Sequence, residues 1–345
     1  MNDRQNELGA SFKLGVDFRG REDEILQFAK THLDFVPNPD GFLGYSTWWG
    51  SDRAGAFRWK GIYKDRAALL KAQGVKPSTS EITALQGFQR ANHSDLVRPP
   101  KLLASQPWND DLNFELLVIE YIDSERLISY PTSSEQVAEF FRIFKDYRER
   151  SIGKPWVEKP TESLAVSTRK RIEEDLSMAE DLFPNHRLRK PDDHKLIYEG
   201  LAVLERHYEN VEPEFQHTHI STDDVFKPIG QDPRYIYTSN FMWGWEAPYF
   251  DATYSYFHYD RLLADRYDQT DAALLKSQAK LWKTELYRLP HGDDQNLLLK
   301  AALLDKAVRA LAISDLAGER SSASIAQDLI DLTRANIREL VKDLV

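Results

Sequence analysis

The residues of this chain best suited to chemistry fall in a few short segments. Lys71 interrupts the apolar run Ala67–Ala72, next to Leu69 and Leu70. Burying an ammonium without a partner is expensive, so a lysine there is either functional or on a sheet edge, where it discourages aggregation. Glu81 follows Ser78 in an S-x-x-E pattern, which by itself is a helix capping box. Gly50 and Gly55 flank the turn Gly50-Ser51-Asp52-Arg53-Ala54-Gly55, and paired glycines suit a tight hairpin. The run His217-Thr218-His219-Ile220-Ser221-Thr222-Asp223-Asp224-Val225-Phe226 gathers two histidines and two aspartates ahead of an apolar pair. A histidine near its reference pKa of about 6.5 accepts a proton at neutral pH, and carboxylate oxygens suit hard cations.

These groups need a scaffold, and composition bounds it. The chain has 345 residues, enough for two units with cores of their own. It has no cysteine, so disulfides and thiolate metal sites are excluded. The start, MNDRQNELGASFK, lacks an apolar h-region, and no stretch approaches the roughly 20 apolar residues of a membrane span. A cytoplasmic location without membrane association is expected. The net charge of −10 argues against nucleic acid as a partner, while local basic groups can still hold phosphates.

Periodicity supplies the elements. Residues 21–33 carry Ile25, Phe28, Ala29 and Leu33 at helical spacing. Asn38-Pro39-Asp40-Gly41 reads as a turn. Short β-like runs follow between Phe42 and Tyr63, then Ala67–Ala72 after the turn Lys64-Asp65-Arg66. Ser78–Ala91 reads as a helix, and Lys101–Ala104 and Phe114–Ile122 as strands. Beyond them Ser134–Arg150, Ser167–Leu182, Asp192–Tyr208, Leu297–Leu316 and Ile325–Leu344 read as helices. Two short strands, Val225–Lys227 and Tyr235–Thr238, interrupt the helical half around a turn at Gly230–Pro233. The order predicts an α+β chain: a small antiparallel five-stranded sheet with a helix, then a larger mainly helical lobe. The expected boundaries are an N-terminal helical extension over 1–40, a sheet-and-helix lobe over 41–122, and a helical lobe over 123–345. The last contains a loop and hairpin at 215–241.

This order, with the motifs above, resembles the protein-kinase-like superfamily, and within it the aminoglycoside phosphotransferase and choline kinase relatives. The resemblance spans roughly Phe42 to Leu263 and implies a two-lobed fold that binds ATP and Mg²⁺. It implies that the Gly50–Gly55 turn brings backbone N–H groups to phosphates, and that Lys71 points at the phosphates with Glu81 orienting it. It places Val118-Ile119-Glu120-Tyr121-Ile122 at a hinge that receives the adenine, with Glu120 and Ile122 beside the nucleotide. The segment from His217 follows the family frame H-G-D-x-x-x-x-N and its hairpin, and Asp251 falls where relatives often carry a structural aspartate.

The chain departs from that frame at three positions. His219 stands where the family has its catalytic-base aspartate, Asp224 where it has the metal-binding asparagine, and Asn240 where it has the metal-binding aspartate. The last two are a reciprocal exchange, and both side chains offer oxygen to Mg²⁺. The resemblance thus implies Asp224 and Asn240 as metal ligands, and His219 and Asp224 as the residues nearest the chemistry. Two readings stay open. One is a phosphotransferase acting on a small-molecule hydroxyl. The other is a pseudokinase that works by binding a protein partner. If the resemblance is misplaced, Lys71 and Glu81 should lie far apart. His291-Gly292-Asp293 matches the frame literally but runs straight into a helix, so Asp293 or Asp294 is expected to cap that helix. Asp192-Asp193-His194 resembles a metal trio at a helix start, where acidic residues favour the dipole. Trp243 and Trp245 either pack the helical half or wall an acceptor pocket.

Overall fold

The computed structural model describes residues 18–47, 54–74, 80–91, 94–129, 131–151, 155–182, 189–218, 220–230, 233–237, 243–256, 272–313 and 323–345. The chain divides into two compact units, Met1–Glu125 with Phe226–Met242, and Arg126–Val225 with Trp243–Val345.

The first unit opens with α1 (Glu22–His32), whose acidic first turn and basic last turn match the helix dipole. A five-stranded sheet follows, built from β1 (Phe35–Thr47), β2 (Ala54–Tyr63), β3 (Arg66–Gln73), β5 (Leu102–Asn109) and β6 (Phe114–Glu120). Its order is β1-β2-β3-β6-β5, and every neighbouring pair is antiparallel. Lys64 and Asp65, both at positive φ, form the two-residue loop that pairs Tyr63 with Arg66. The expected turn at 38–41 is absent: β1 runs through it, with register shifts between Pro37 and Phe42. Prolines are tolerated there because β1 is an edge strand, whose unpaired side needs no N–H donors.

The sheet buries both faces differently, because side chains alternate along a strand. Ala68, Leu70 and Ala72 of β3 join Phe114, Leu116 and Val118 of β6 in one core with Phe57 and with Ile25, Leu26 and Ala29 of α1. The opposite parity, Lys71, Gln73 and Glu115, meets α2 (Glu81–Ala91), as its hydrogen bonds show. Ile82, Leu85 and Phe88 of α2 are buried, as their spacing predicts. β4 (Val97–Arg98), β7 (Ser124–Arg126), β9 (Val225–Pro228) and β10 (Tyr235–Tyr237) make a second sheet of order β4-β10-β9-β7.

The second unit holds α3 (Ser134–Ser151), α4 (Leu164–Leu182), α5 (Asp193–Tyr208), α6 (Ala272–Leu286), α7 (Asp293–Ala312) and α8 (Ala323–Leu344), with β8 (Glu214–His217) paired antiparallel to β11 (Trp243–Glu246). Its main core joins α4, α5, α7 and α8 through Ile172, Leu201, Leu204, Leu304, Val308 and Ile337. Phe140 and Phe141 of α3 pack on Trp282 of α6, at 4.8 and 5.2 Å between ring centroids. α5 approaches α7 at Gly200, where an added Cβ would lie 2.6 Å from Val308 Cγ2. A valine methyl is too short to swing aside, so Gly200→Ala is expected to cost about 1–3 kcal/mol, read as a lower denaturant midpoint at unchanged m-value. Among the described residues no helix is long and apolar enough to cross a membrane.

Candidate functional site

Lys71 and Glu81 are in contact. Lys71 Nζ donates to both carboxylate oxygens of Glu81, at 2.8 and 2.6 Å, and both side chains are buried. The geometry follows from the sheet. β3 lies between β2 and β6, so Lys71 is on a central strand, and the edge-strand reading of this lysine is removed. Its register partners are Arg58 and Leu117. Glu81 begins α2 and turns its carboxylate to β3 rather than to its own helix end. Ser78, the other half of the expected capping box, lies outside the described residues. Instead Ser80 Oγ accepts from the Ile82 N–H at 3.2 Å and donates to Glu115 Oε2 at 2.6 Å.

Three polar residues around this pair were not singled out in the sequence. Gln73 Nε2 donates to Glu81 Oε1, the oxygen that also accepts from Lys71. Glu115 is fully buried on β6, directly across from Gln73, with Ser80 as its hydrogen-bond donor. Burial pushes the Glu115 carboxyl above its ordinary range; the Ser80 hydroxyl opposes this, and the Glu81 charge adds to it. A signal was available: Gln73 shares strand parity with Lys71, and Glu115 breaks the apolar run FELLVIE as Lys71 breaks its own.

The other nucleotide-side positions are placed as follows. Gly55 is buried in β2, and its carbonyl accepts from the Gly74 N–H at 2.8 Å. Glu120 ends β6 with its carboxylate on Arg98 and on the Lys101 N–H, the latter at 2.7 Å. Ile122 follows in irregular, half-buried chain. Gly50, His219 and Asn240 lie outside the described residues.

In the second unit, β8 leads into the loop that carries Asp224. His217 is fully buried, with its ring edge-on to Trp243 at 5.2 Å between centroids. A 3₁₀ turn, Thr222–Asp224, follows, and Asp224 is buried with Oδ2 accepting from the Ser221 N–H at 2.5 Å. Asp251 is buried in the helical segment 250–256. Its N–H donates to Gln216 Oε1 at 2.8 Å, its carboxylate accepts from the Ala252 N–H at 2.8 Å, and Arg148 Nε lies 3.5 Å away. Burial raises the Asp251 carboxyl, and the Arg148 cation only partly offsets it. Tyr147 is driven well above its ordinary range, first by burial and then by the Asp251 and Asp224 charges. Asp251 thus ties β8, α3 and its own helix together, which is the structural role expected of it.

The remaining candidates resolve as structure. Trp243 is buried among Tyr147, Trp156 and Phe215 in the aromatic core, while Trp245 is half-buried, packs on Phe215 and donates to the Val157 carbonyl at 3.1 Å. Asp193 forms a two-pronged pair with Arg334, 2.7 Å on each oxygen. His194 pairs with Glu180. The cap of α7 is Gly292, at φ 111°, with Asp293 and Asp294 the first two residues of the helix, a correction to the expected capping role. There they still favour the dipole, and glycine takes the positive φ at no steric cost.

No family model matches the sequence, and no curated protein matches it. Solved structures do match the fold. The amicoumacin kinase hAmiN, in complex with AMP-PNP, Ca²⁺ and Ami, is 12% identical with a TM-score of 0.60, covering 93% of this chain and 95% of its own. The aminoglycoside phosphotransferase APH(4)-Ia is 9% identical with a TM-score of 0.57, over 93% and 98% of the two chains. A spectinomycin phosphotransferase, APH(9)-Ia, in complex with ADP and its antibiotic, is 11% identical with a TM-score of 0.50, over 93% and 98%. At such identities the likeness is one of fold: the chain has the α+β, protein-kinase-like fold of these phosphotransferases.

Proposed function

We propose that this chain binds ATP with Mg²⁺ and transfers the γ-phosphoryl group to a hydroxyl of a small molecule. The observation that carries this reading is the buried Lys71–Glu81 pair, closed on both carboxylate oxygens in this fold. A buried ion pair seldom improves stability over an apolar pair of the same size, so its presence calls for another use. Lys71 would present its ammonium to phosphate oxygens, with Glu81 holding it in place. The Gly50–Gly55 turn, Glu120 and Ile122 are proposed to contact the nucleotide through backbone groups. The Glu120 carboxylate, already held by Arg98, is spoken for.

Among the described residues no three His, Cys, Asp or Glu side chains gather as a metal site. That suits Mg²⁺, which is commonly held by one or two carboxylates together with substrate phosphates and water. Asp224, buried and aligned by the Ser221 N–H, is the proposed main ligand, with Asn240 as the second. When bound, the ion would neutralise developing charge on the phosphates. His219 is proposed to accept the proton of the attacking hydroxyl, whose oxygen forms the new P–O bond as ADP leaves. The Asp224→Ala variant is expected to bind ATP with an affinity that no longer rises on adding Mg²⁺; unchanged magnesium dependence would remove Asp224 as a ligand.

A second reading, a pseudokinase that binds a partner, is favoured by one observation: the histidine at 219 and asparagine at 240 stand where the family carries aspartates. Calorimetric titration of ATP with and without Mg²⁺, followed by ADP release in the presence of pooled hydroxyl acceptors, separates the two. Magnesium-dependent binding with acceptor-stimulated ADP release supports the transferase. Binding without turnover across the pool supports the second reading.

A further inference from the structure

The face of the first unit's sheet that meets α2 carries a polar group larger than the Lys71–Glu81 pair. Lys71 and Gln73 project from β3 on the same side, two residues apart, and Glu115 stands on β6 directly across from Gln73. From α2, Glu81 and the preceding Ser80 reach down to them. The Gln73 amide donates to Glu81 Oε1, which also accepts from Lys71, while Glu81 Oε2 accepts from Lys71 at 2.6 Å. The first turn of α2 is anchored separately to β6, by the Ser80 hydroxyl on Glu115 at 2.6 Å. Lys71, Gln73, Glu81 and Glu115 are all buried.

Each contact removes a freedom that the lysine–glutamate pair alone would keep. A glutamate at a helix start has several rotamers and a competing use as a cap for its own helix. With Glu115 anchoring the helix start from β6, and Gln73 fixing the carboxylate from the side, one Glu81 rotamer is selected. A side chain fixed in advance loses less entropy when its partner binds ligand.

We propose that Gln73 and Glu115 are positioning residues that act through Glu81 to hold the Lys71 ammonium in place for nucleotide phosphates before the nucleotide arrives. This rests on the reading of Lys71 as a phosphate ligand. Their side chains bond to Glu81 and to Ser80, and neither is assigned a contact with the nucleotide itself. Their influence is therefore confined to the phosphate end of the ligand and absent from its nucleoside end.

That confinement is the test. The full chain and its Gln73→Leu, Glu115→Leu and Lys71→Ala variants would be titrated calorimetrically with Mg-ATP and with adenosine, with thermal midpoints recorded in parallel. Gln73→Leu and Glu115→Leu are each expected to weaken Mg-ATP roughly tenfold, the size of one lost hydrogen bond to a charged group, and to leave adenosine binding unchanged. If either folds poorly, the other decides. Equal losses for both ligands, or lowered thermal midpoints with unchanged Mg-ATP affinity, would reduce the two residues to structural support and overturn the proposal. Loss of Mg-ATP binding in Lys71→Ala with full retention in both positioning variants overturns the proposal alone. Unchanged Mg-ATP binding in Lys71→Ala overturns the phosphate-ligand reading, and the proposal with it.

Discussion

Lys71→Met is expected to lose Mg-ATP binding by about a hundredfold and, separately, to destabilise the first unit by about 3–5 kcal/mol. The second effect arises because Glu81 would stay behind as a buried charge whose main partner is gone. Glu81→Leu should destabilise by a similar amount, leaving the ammonium instead. The double variant that combines them is the most informative. With both charges replaced by apolar groups of like size, the charge-desolvation cost disappears on both sides, and stability should return to within about 2 kcal/mol of the parent, the remainder being the Gln73 amide left without its Glu81 acceptor. Nucleotide binding should not return. Chemical denaturation and calorimetry on the four proteins would check both halves. A double variant as unstable as either single one would mean that the pair is there for stability, which would take away the main support for a functional lysine.

Glu246→Leu should have the largest effect in the second unit. Glu246 is buried between Arg171 and Arg309, with Arg309 Nη2 at 3.2 Å, and Arg309 Nε in turn pairs with Asp305 at 2.7 Å. Removing the carboxylate leaves two guanidiniums facing each other with Asp305 and Asp175 as the anions still near them, at a cost of about 3–5 kcal/mol, or roughly 10 °C in midpoint for a unit of this size. A pH dependence accompanies it. Burial pushes the Glu246 carboxyl upward, but Arg171 and Arg309 outweigh burial and hold it below its ordinary value. A group whose folded pKa is depressed stabilises the protein fully above its unfolded pKa, near 4.5, and loses that contribution as pH falls through the folded value. The parent should therefore lose stability steeply between about pH 5 and the folded pKa of Glu246, and Glu246→Gln should flatten that part of the curve. Thermal midpoints measured across acidic pH for the two proteins would show it; parallel curves would mean that Glu246 does not govern the acid limb.

The elements that position the site were readable where a local rule sufficed. Helical spacing gave α2 with Ile82, Leu85 and Phe88 inward, and the loop at Lys64-Asp65 gave the β2–β3 hairpin. Reading failed where tertiary placement decides. Asn38-Pro39-Asp40-Gly41 has every mark of a turn, yet an edge strand with a free side absorbs both prolines. Asp293 suits a cap by type, but the helix already begins at Asp293, so the cap position falls one residue earlier, at Gly292. Within the site, Lys71 and Glu81 stood out because each violates or satisfies a rule of its own element. Glu115 breaks its own apolar run in the same way, but its partners were out of reach, because they depend on β6 lying beside β3, a neighbour relation that skips α2, β4 and β5 in the sequence. Glu246 is further from reach: its partners come from two separate helices, α4 and α7, and nothing local announces them.

The placement of β6 between β3 and β5 has a consequence for the chain as it is being made. When α1 through β3 have left the ribosome, β3 still exposes a row of unpaired backbone groups, because the strand that covers it lies beyond α2 and β5. Such an open edge is where nascent chains stick to one another. One face of the half-built sheet is already shielded by α1, through Phe57, Leu70 and Ala72. The other face carries Lys71 and Gln73, and a charge pointing from an unfinished strand discourages a neighbour from docking on it. The next segment to emerge, α2, brings Glu81 to that charge. The lysine proposed to bind phosphate thus also guards the protein against its own copies during the interval before β6 arrives.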